Sequence, residues 1–320
     1  MPTLPLAHAN SPPRLRLGLV MQSMMLPFKN PILVASGTFG YAAEMAKMYD
    51  ISRLGGIVPK TVTLTPRPGN KTPRTVETAA GMLNSIGLDN DGLDEFLSQK
   101  MPFLRSIGTS IILSIAAKSI DDAPVFGEKL ANADGIDAVE LNISCPNVAC
   151  GVDFASDAKL CEQMVSAMRK EIRLPLIVKL SPNVTKIAEI AKSAESAGAD
   201  TVAAINTCFG LAVDWRNRKP RLGNVFGGLS GPAIKPIALR CVRQIYQAVS
   251  IPVIGIGGIE TIDDAMEFFV TGASAIQIGT ANFYRPLAPM EILDAIPGAL
   301  AELGANSVTE IVGTLEGVRS

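Results

Sequence analysis

From residue 30 onward the chain alternates short apolar, β-branched runs with longer segments of helical period, and this alternation limits the fold more than any other feature. Eight runs read as strands: residues 32–35, 56–60, 111–115, 138–143, 176–180, 201–205, 253–255 and 275–278. Most lack an alternating polar face, the mark of strands covered on both sides. Between them, residues 157–171, 184–197, 233–249 and 262–271 carry apolar residues at i, i+3 and i+4, which predicts helices with one buried stripe. Repeated βα units allow an open doubly wound sheet or a closed barrel. An open dinucleotide-binding sheet would carry G-x-G-x-x-G after its first strand, and neither that motif nor a P-loop occurs. No linker divides residues 30–305, so the prediction is a single-domain (β/α)8 TIM barrel with its active site at the C-terminal mouth of the strands.

The rest of the composition narrows the chemistry. Lysine plus arginine number 29 against 30 aspartate plus glutamate, so no positive field exists to hold a nucleic acid. Residues 17–28 are charge-free but too short for a membrane span, which needs about 20 apolar residues, and the expected location is the cytoplasm. The five cysteines are scattered, contain no C-x-x-C pair and suit a reducing compartment. The only histidine, His8, lies in residues 1–14, a stretch of Pro, Ala, Asn and Ser that reads as a flexible tail before a barrel domain over 15–320. Histidine-based triads, zinc sites and general bases are therefore excluded from the folded body, leaving Cys, Lys, Asp, Glu, Tyr or a hydroxyl to move protons. No metal site is expected.

Placing the strand ends collects polar residues at one face. Ser36 follows the first run, Lys60 and Thr61 the second, Ser114 stands in the third, and Asn142 to Asn147 follow the fourth. Lys179 closes the fifth, Asn206 and Thr207 follow the sixth, Gly257-Gly258 the seventh and Gly279-Thr280 the eighth. The last two pairs occupy the place where barrels hold phosphate on backbone N–H groups, although glycines there can equally make a tight turn. Lys60 and Lys179 must point into the mouth or be buried, and burial demands a partner such as an anionic or electron-rich ring. Cys145 sits between Asn142 and Asn147; a cysteine in an apolar run is commonly a small buried hydrophobe, but Pro146 and the polar neighbours favour a loop, where a thiol can serve as a base. Cys150, Cys161, Cys208 and Cys241 read as structural. The long connections 61–92 and 207–232 are rich in Gly, Pro and Asn and should emerge at the same mouth; Trp215, Arg216, Arg218 and Lys219 read as part of a solvated loop.

These motifs, in order, resemble the soluble dihydroorotate dehydrogenases over residues 29–305. They are Asn30-Pro31 with Ala35-Ser36-Gly37, Pro59-Lys60-Thr61, Asn84-Ser85-Ile86-Gly87-Leu88 and Asn142-Ile143-Ser144-Cys145-Pro146-Asn147. Val178-Lys179-Leu180-Ser181-Pro182-Asn183, Asn206-Thr207, Gly227-Gly228-Leu229-Ser230-Gly231-Pro232, Gly257-Gly258 and Gly279-Thr280-Ala281-Asn282-Phe283 complete the set. The resemblance implies one FMN per chain across the barrel mouth, its phosphate at Gly257, Gly258, Gly279 and Thr280 and its ring near Lys60, Thr61 and Lys179. It also brings Ser36, Ser114, Asn142, Ile205 and Gly231 to the flavin. Substrate is implied at Lys60, Asn84, Ser85, Ile86, Gly87, Leu88, Asn142, Asn147, Asn206 and Thr207, with Cys145 as the base for dihydroorotate C5 while hydride leaves C6. Three departures are plain: Ser114 stands where asparagine is usual, Ala149-Cys150-Gly151 stands where a Gly-Gly pair is usual, and Pro59, which cannot donate to a ladder, points to an earlier end for the second strand.

Within this family the branch it resembles most passes electrons to NAD through a partner subunit carrying FAD and a 2Fe–2S cluster, on a homodimer core that can extend to a heterotetramer. This chain has no cysteine spacing for that cluster and no dinucleotide fingerprint, so both would belong to the partner. The alternatives are a fumarate-linked homodimer and a dihydropyrimidine dehydrogenase module, where histidine usually stands in place of Asn147. A flavin barrel that modifies RNA and a non-catalytic flavin sensor are more distant readings.

Overall fold

The computed structural model describes residues 28–143 and 154–317. The tail read over 1–14 and the residues Cys145, Asn147 and Cys150 lie outside them. In chain order the strands are β1 (Ile32–Val34), β2 (Gly56–Ile57), β3 (Thr75–Thr78), β4 (Gly81–Asn84), β5 (Ser110–Ile115), β6 (Ala138–Asn142) and β7 (Leu176–Leu180). They continue with β8 (Thr201–Ala204), β9 (Cys208–Leu211), β10 (Val213–Asp214), β11 (Lys219–Pro220), β12 (Phe226–Ser230), β13 (Val253–Ile256) and β14 (Ala275–Ile278).

Eight of these close into a parallel barrel in the order β1-β14-β13-β8-β7-β6-β5-β2, with β2 returning to β1. They are the eight apolar runs of the sequence, with ends displaced by a few residues. The clearest displacement is at β2, which stops at Ile57. Pro59 has no N–H to give a ladder, and Lys60 is already in a loop, its own N–H donating to Gly40 at 3.0 Å. The helix expected over 262–271 forms as Ile262–Thr271, begun by a capping box in which Thr261 and Asp264 satisfy each other's backbone N–H groups. Those expected over 184–197 and 233–249 are shorter, Ile187–Ser196 and Lys235–Tyr246. The latter follows a single 3-10 turn at Pro232–Ile234.

Side chains alternate between the two faces of a strand, and the two buried clusters divide accordingly. Leu33, Ile112, Ala138, Ile177, Ala203, Ile254 and Ala275, one from each of seven barrel strands, pack together with Val58 as a plug inside the barrel. Their neighbours of opposite parity, such as Ile32, Ile111, Val139, Val178, Val202 and Ile276, join the large cluster under the outer helices. Two positions further along four of those strands the inward side chains become polar: Ser114, Glu140, Lys179 and Gln277, each at most 5% exposed. The barrel therefore has an apolar floor and a polar upper layer beneath its mouth.

The connections 61–92 and 207–232, read as Gly-, Pro- and Asn-rich stretches at the mouth, contain all four strands of a second sheet. Strands β3, β4, β12 and β9 pair antiparallel in that order, and β10 pairs with β11 as a small separate hairpin. Trp215, in the turn of that hairpin, is 70% exposed with the Arg216 guanidinium stacked 4.3 Å from its ring centroid, as expected of a solvated turn. No helix among the described residues is long and apolar enough to cross a membrane.

Candidate active site

A cavity of about 490 Å3 lies between the barrel mouth and the four-stranded sheet, a size usual for cofactor and ligand pockets. Its barrel side is formed just past the strand ends: Ser36 after β1, Lys60 and Thr61 after β2, Asn142 at the end of β6, Lys179 in β7, and Ile205, Asn206 and Thr207 after β8. Its other wall comes from the second sheet, with Thr75 in β3, Met82 and Asn84 in β4, Gly228 and Ser230 in β12, and Ile86, Gly87 and Leu88 just beyond β4. Gly231, Gly257, Gly258, Gly279 and Thr280 line the remaining end.

Each group is held by local chemistry. Asn206 Nδ2 donates to Asn142 Oδ1 at 3.4 Å and Asn206 Oδ1 accepts from the Thr207 N–H at 2.8 Å. Asn84 Nδ2 donates to the Gly228 carbonyl at 3.3 Å, joining β4 to β12 across the cavity roof. At Gly228 a Cβ would stand 1.9 Å from Thr207 Oγ1, so only glycine lets the roof approach the loop after β8. At the opposite end Gly257 and Gly258 have φ of +129° and +73°, and a Cβ on either would meet Ala238 or Lys235 below 3.0 Å. The result is a close-packed loop whose bare backbone faces the cavity, the form that suits an anionic oxygen cluster.

Below the floor of the cavity lies a buried polar network that the sequence reading did not identify. Glu140, completely buried, receives Gln277 Nε2 at 2.7 Å and Ser114 Oγ at 3.3 Å, and faces Lys179 Nζ at 3.5 Å. Ser114 Oγ is 2.9 Å from Thr61 Oγ1, which is 3.0 Å from Ser36 Oγ. The sequence signal was available: Glu140 and Gln277 interrupt apolar strands at the parity of the plug. Thr75, Met82 and Ser230 were also missed, because they lie on strands that carry no strong pattern.

Of the described residues assigned from sequence, Ser85 and Ser114 are the two absent from the cavity wall. Ser85 is buried behind it with an unpaired hydroxyl oxygen; Ser114 reaches it only through Thr61. Cys145 and Asn147 lie outside the described residues. The remaining described cysteines suit structural roles. Burial, with Glu162 nearby, pushes the Cys161 thiol up to about 12. Burial likewise raises Cys208, helped by Cys241, and raises Cys241 against the pull of Arg240. None is a thiol poised to ionise near neutral pH.

Comparison with known proteins gives a consistent family. The family model described as "Dihydroorotate dehydrogenase" matches residues 19–300. Among curated relatives, a protein of Desulforamulus reducens is 48% identical over 300 residues, covering 93% of this chain and 99% of its own. One of Bacteroides thetaiotaomicron is 50% identical over 292 residues, covering 91% and 96%. One of Bacillus pumilus is 48% identical over 289 residues, covering 90% and 93%. All three are named "Dihydroorotate dehydrogenase B (NAD(+)), catalytic subunit".

Proposed function

The chain belongs to the dihydroorotate dehydrogenase family, and on that premise we propose that it oxidises (S)-dihydroorotate to orotate in de novo pyrimidine biosynthesis, as the catalytic subunit of an NAD-linked enzyme. The observation that carries this reading is the convergence, on one cavity, of a glycine-lined anion cradle at one end and two lysines with an asparagine pair at the other. That donor set fits FMN, which is a phosphate at one end and a ring rich in carbonyl and imide groups at the other. Gly257, Gly258, Gly279 and Thr280 would hold the phosphate; Ser36, Thr61, Lys179 and Ile205 would flank the ring. When bound, FMN supplies the two-electron acceptor for the hydride that leaves dihydroorotate C6.

The chain's own groups would do the rest. Lys60 offers an ammonium to the substrate carboxylate, and Asn84, Asn142, Asn147, Asn206 and Thr207 offer groups that donate and accept along its amide edges. Removing the C5 proton develops charge on the neighbouring carbonyl oxygen, which preorganised donors would stabilise. Cys145 would take that proton on Sγ. The second sheet, roofing the cavity through Asn84 and Gly228, would keep water from the reacting carbons.

NAD would be reached through a separate iron–sulfur subunit carrying FAD, docked on a homodimer core in the cytoplasm. The NAD linkage and the separate subunit are supported by the names of the relatives, and the need for another chain to carry the cluster by the lack of ferredoxin-type cysteine spacing and of a dinucleotide fingerprint in this sequence.

The test is anaerobic addition of dihydroorotate to the flavin-loaded chain while flavin absorbance is followed, then addition of fumarate or, with the partner subunit, NAD. Rapid bleaching is expected, slowed about 10²–10⁴-fold in Cys145→Ala, with reoxidation by NAD requiring the partner. Reoxidation by fumarate alone would move the chain to the partner-free branch, and a flavin that stays oxidised would refute the substrate.

A further inference from the structure

Glu140 is the one completely buried carboxylate among the described residues, and the chemistry proposed above makes no direct use of it. It does not line the cavity. Its partners do, or lead there: Lys179 directly, and Ser114 by way of Thr61 and Ser36. A fully buried charge is retained only where several donors meet it. Here three converge, an amide, a hydroxyl and an ammonium.

The direction of the hydroxyl chain follows from elementary counting. A carboxylate can only accept, and each hydroxyl has a single hydrogen. Ser114 donates to Glu140, so its oxygen must accept from Thr61; Thr61 in turn must accept from Ser36. All three hydrogens point toward Glu140. Ser36 then meets the cavity with lone pairs rather than with its hydrogen.

We propose that Glu140 is a positioning residue for the cofactor pocket: it holds and partly neutralises the Lys179 ammonium, and it fixes Ser36 as a hydrogen-bond acceptor toward the bound ring. The inference rests on the reading that the cavity holds FMN. Its consequence is electrostatic. Reduction adds negative charge to a flavin, and a cation without its counter-charge stabilises that charge more strongly, so Glu140 lowers the flavin's reduction potential relative to the same pocket without it.

The experiment compares midpoint potentials of the flavin-loaded chain and its variants by anaerobic dye-linked titration, with FMN dissociation constants measured alongside. Glu140→Gln is expected to favour the reduced flavin at least tenfold, about 30 mV upward for a two-electron couple. Glu140→Asp, which keeps the charge, returns the potential most of the way to wild type, a rescue that a merely space-filling role would not give. Ser114→Ala keeps the ion pair but cuts the hydroxyl chain, and should weaken FMN binding several-fold while moving the potential less than Glu140→Gln does. A folded, flavin-loaded Glu140→Gln chain with the wild-type potential overturns the proposal. Should that variant not fold, unaltered FMN affinity in Ser114→Ala overturns it instead. A wild-type chain that takes up no FMN would sink the cofactor reading, and this one with it; a loaded wild type beside an indifferent Glu140→Gln sinks this one alone.

Discussion

The barrel and the four-stranded sheet above it are built from the same chain by different forces. In the barrel, apolar side chains are buried on both faces of seven of the eight strands, inside in the plug and outside against helices. In the upper sheet, the buried cluster consists of Val76, Leu83 and Leu222, with Ala212 and Leu229 packed against it. There the outward residues of β9 and β12, Phe209, Leu211 and Phe226, are about half exposed or more. Backbone pairing carries that sheet, and backbone pairing adds little net stability per bond. The barrel can thus supply most of the folding free energy while the sheet, costing little to rearrange, shapes the roof of the cavity.

The largest effect is expected inside the barrel wall. Phe268 is fully buried against Gly255, where an added Cβ would stand 2.3 Å from its ring. Phe268→Ala should cost about 3–5 kcal/mol, read as a fall in the urea midpoint. Leu83→Ala, in the upper sheet, should cost about 2 kcal/mol, the low end for a leucine, because a small cluster near solvent can collapse around the gap. Its main consequence should be functional: a raised KM for dihydroorotate with a smaller change in kcat, since Met82 and Asn84 beside it line the cavity. If Leu83→Ala lowers the urea midpoint as far as Phe268→Ala does, the upper sheet contributes as much stability as the barrel wall and the contrast fails.

The smallest effect concerns a helix cap on the barrel side. Burial alone would raise the Asp264 carboxyl, but Lys235 at 2.5 Å, the Glu260 and Thr261 N–H groups and the Thr261 hydroxyl together hold it below its ordinary value. A carboxyl lowered by folding contributes stability that is present above its unfolded value, near pH 4, and is lost as pH falls through the folded one. Asp264→Asn should therefore cost on the order of 1 kcal/mol at pH 7 and flatten the loss of stability below about pH 4. The check is urea unfolding at pH 7 and pH 3.

The two regions also differ in how much of them could be read from the sequence. Barrel strands announce themselves because burial on both faces forces continuous apolar runs, as in Leu176–Leu180. The strands β4, Gly81–Asn84, and β12, Phe226–Ser230, contain glycines and only scattered apolar residues, so no local period marks them. The glycines are required by close approach: a Cβ at Gly81 would stand 1.9 Å from the Ser230 carbonyl oxygen. What reads locally as a loop composition is, in the folded chain, the condition for two strands to pair. Ser114 and Ser85 show the same limit. Motif order places each near the mouth, yet whether a side chain reaches the cavity or stops one residue short depends on the parity and depth of its strand.

The sequence by itself determined the eight-strand barrel, the absence of histidine from residues 9–320 and most of the described polar residues that gather at the mouth, because these follow from local period and from which residue types are present. Only the tertiary structure decided that β4 and β12 join across the roof, where Asn84 meets Gly228 from 144 positions away, and that Glu140 lies beneath Lys179 and Ser114. Pairings of that kind depend on how the barrel closes and on how far each loop reaches, and no local stretch of residues encodes either.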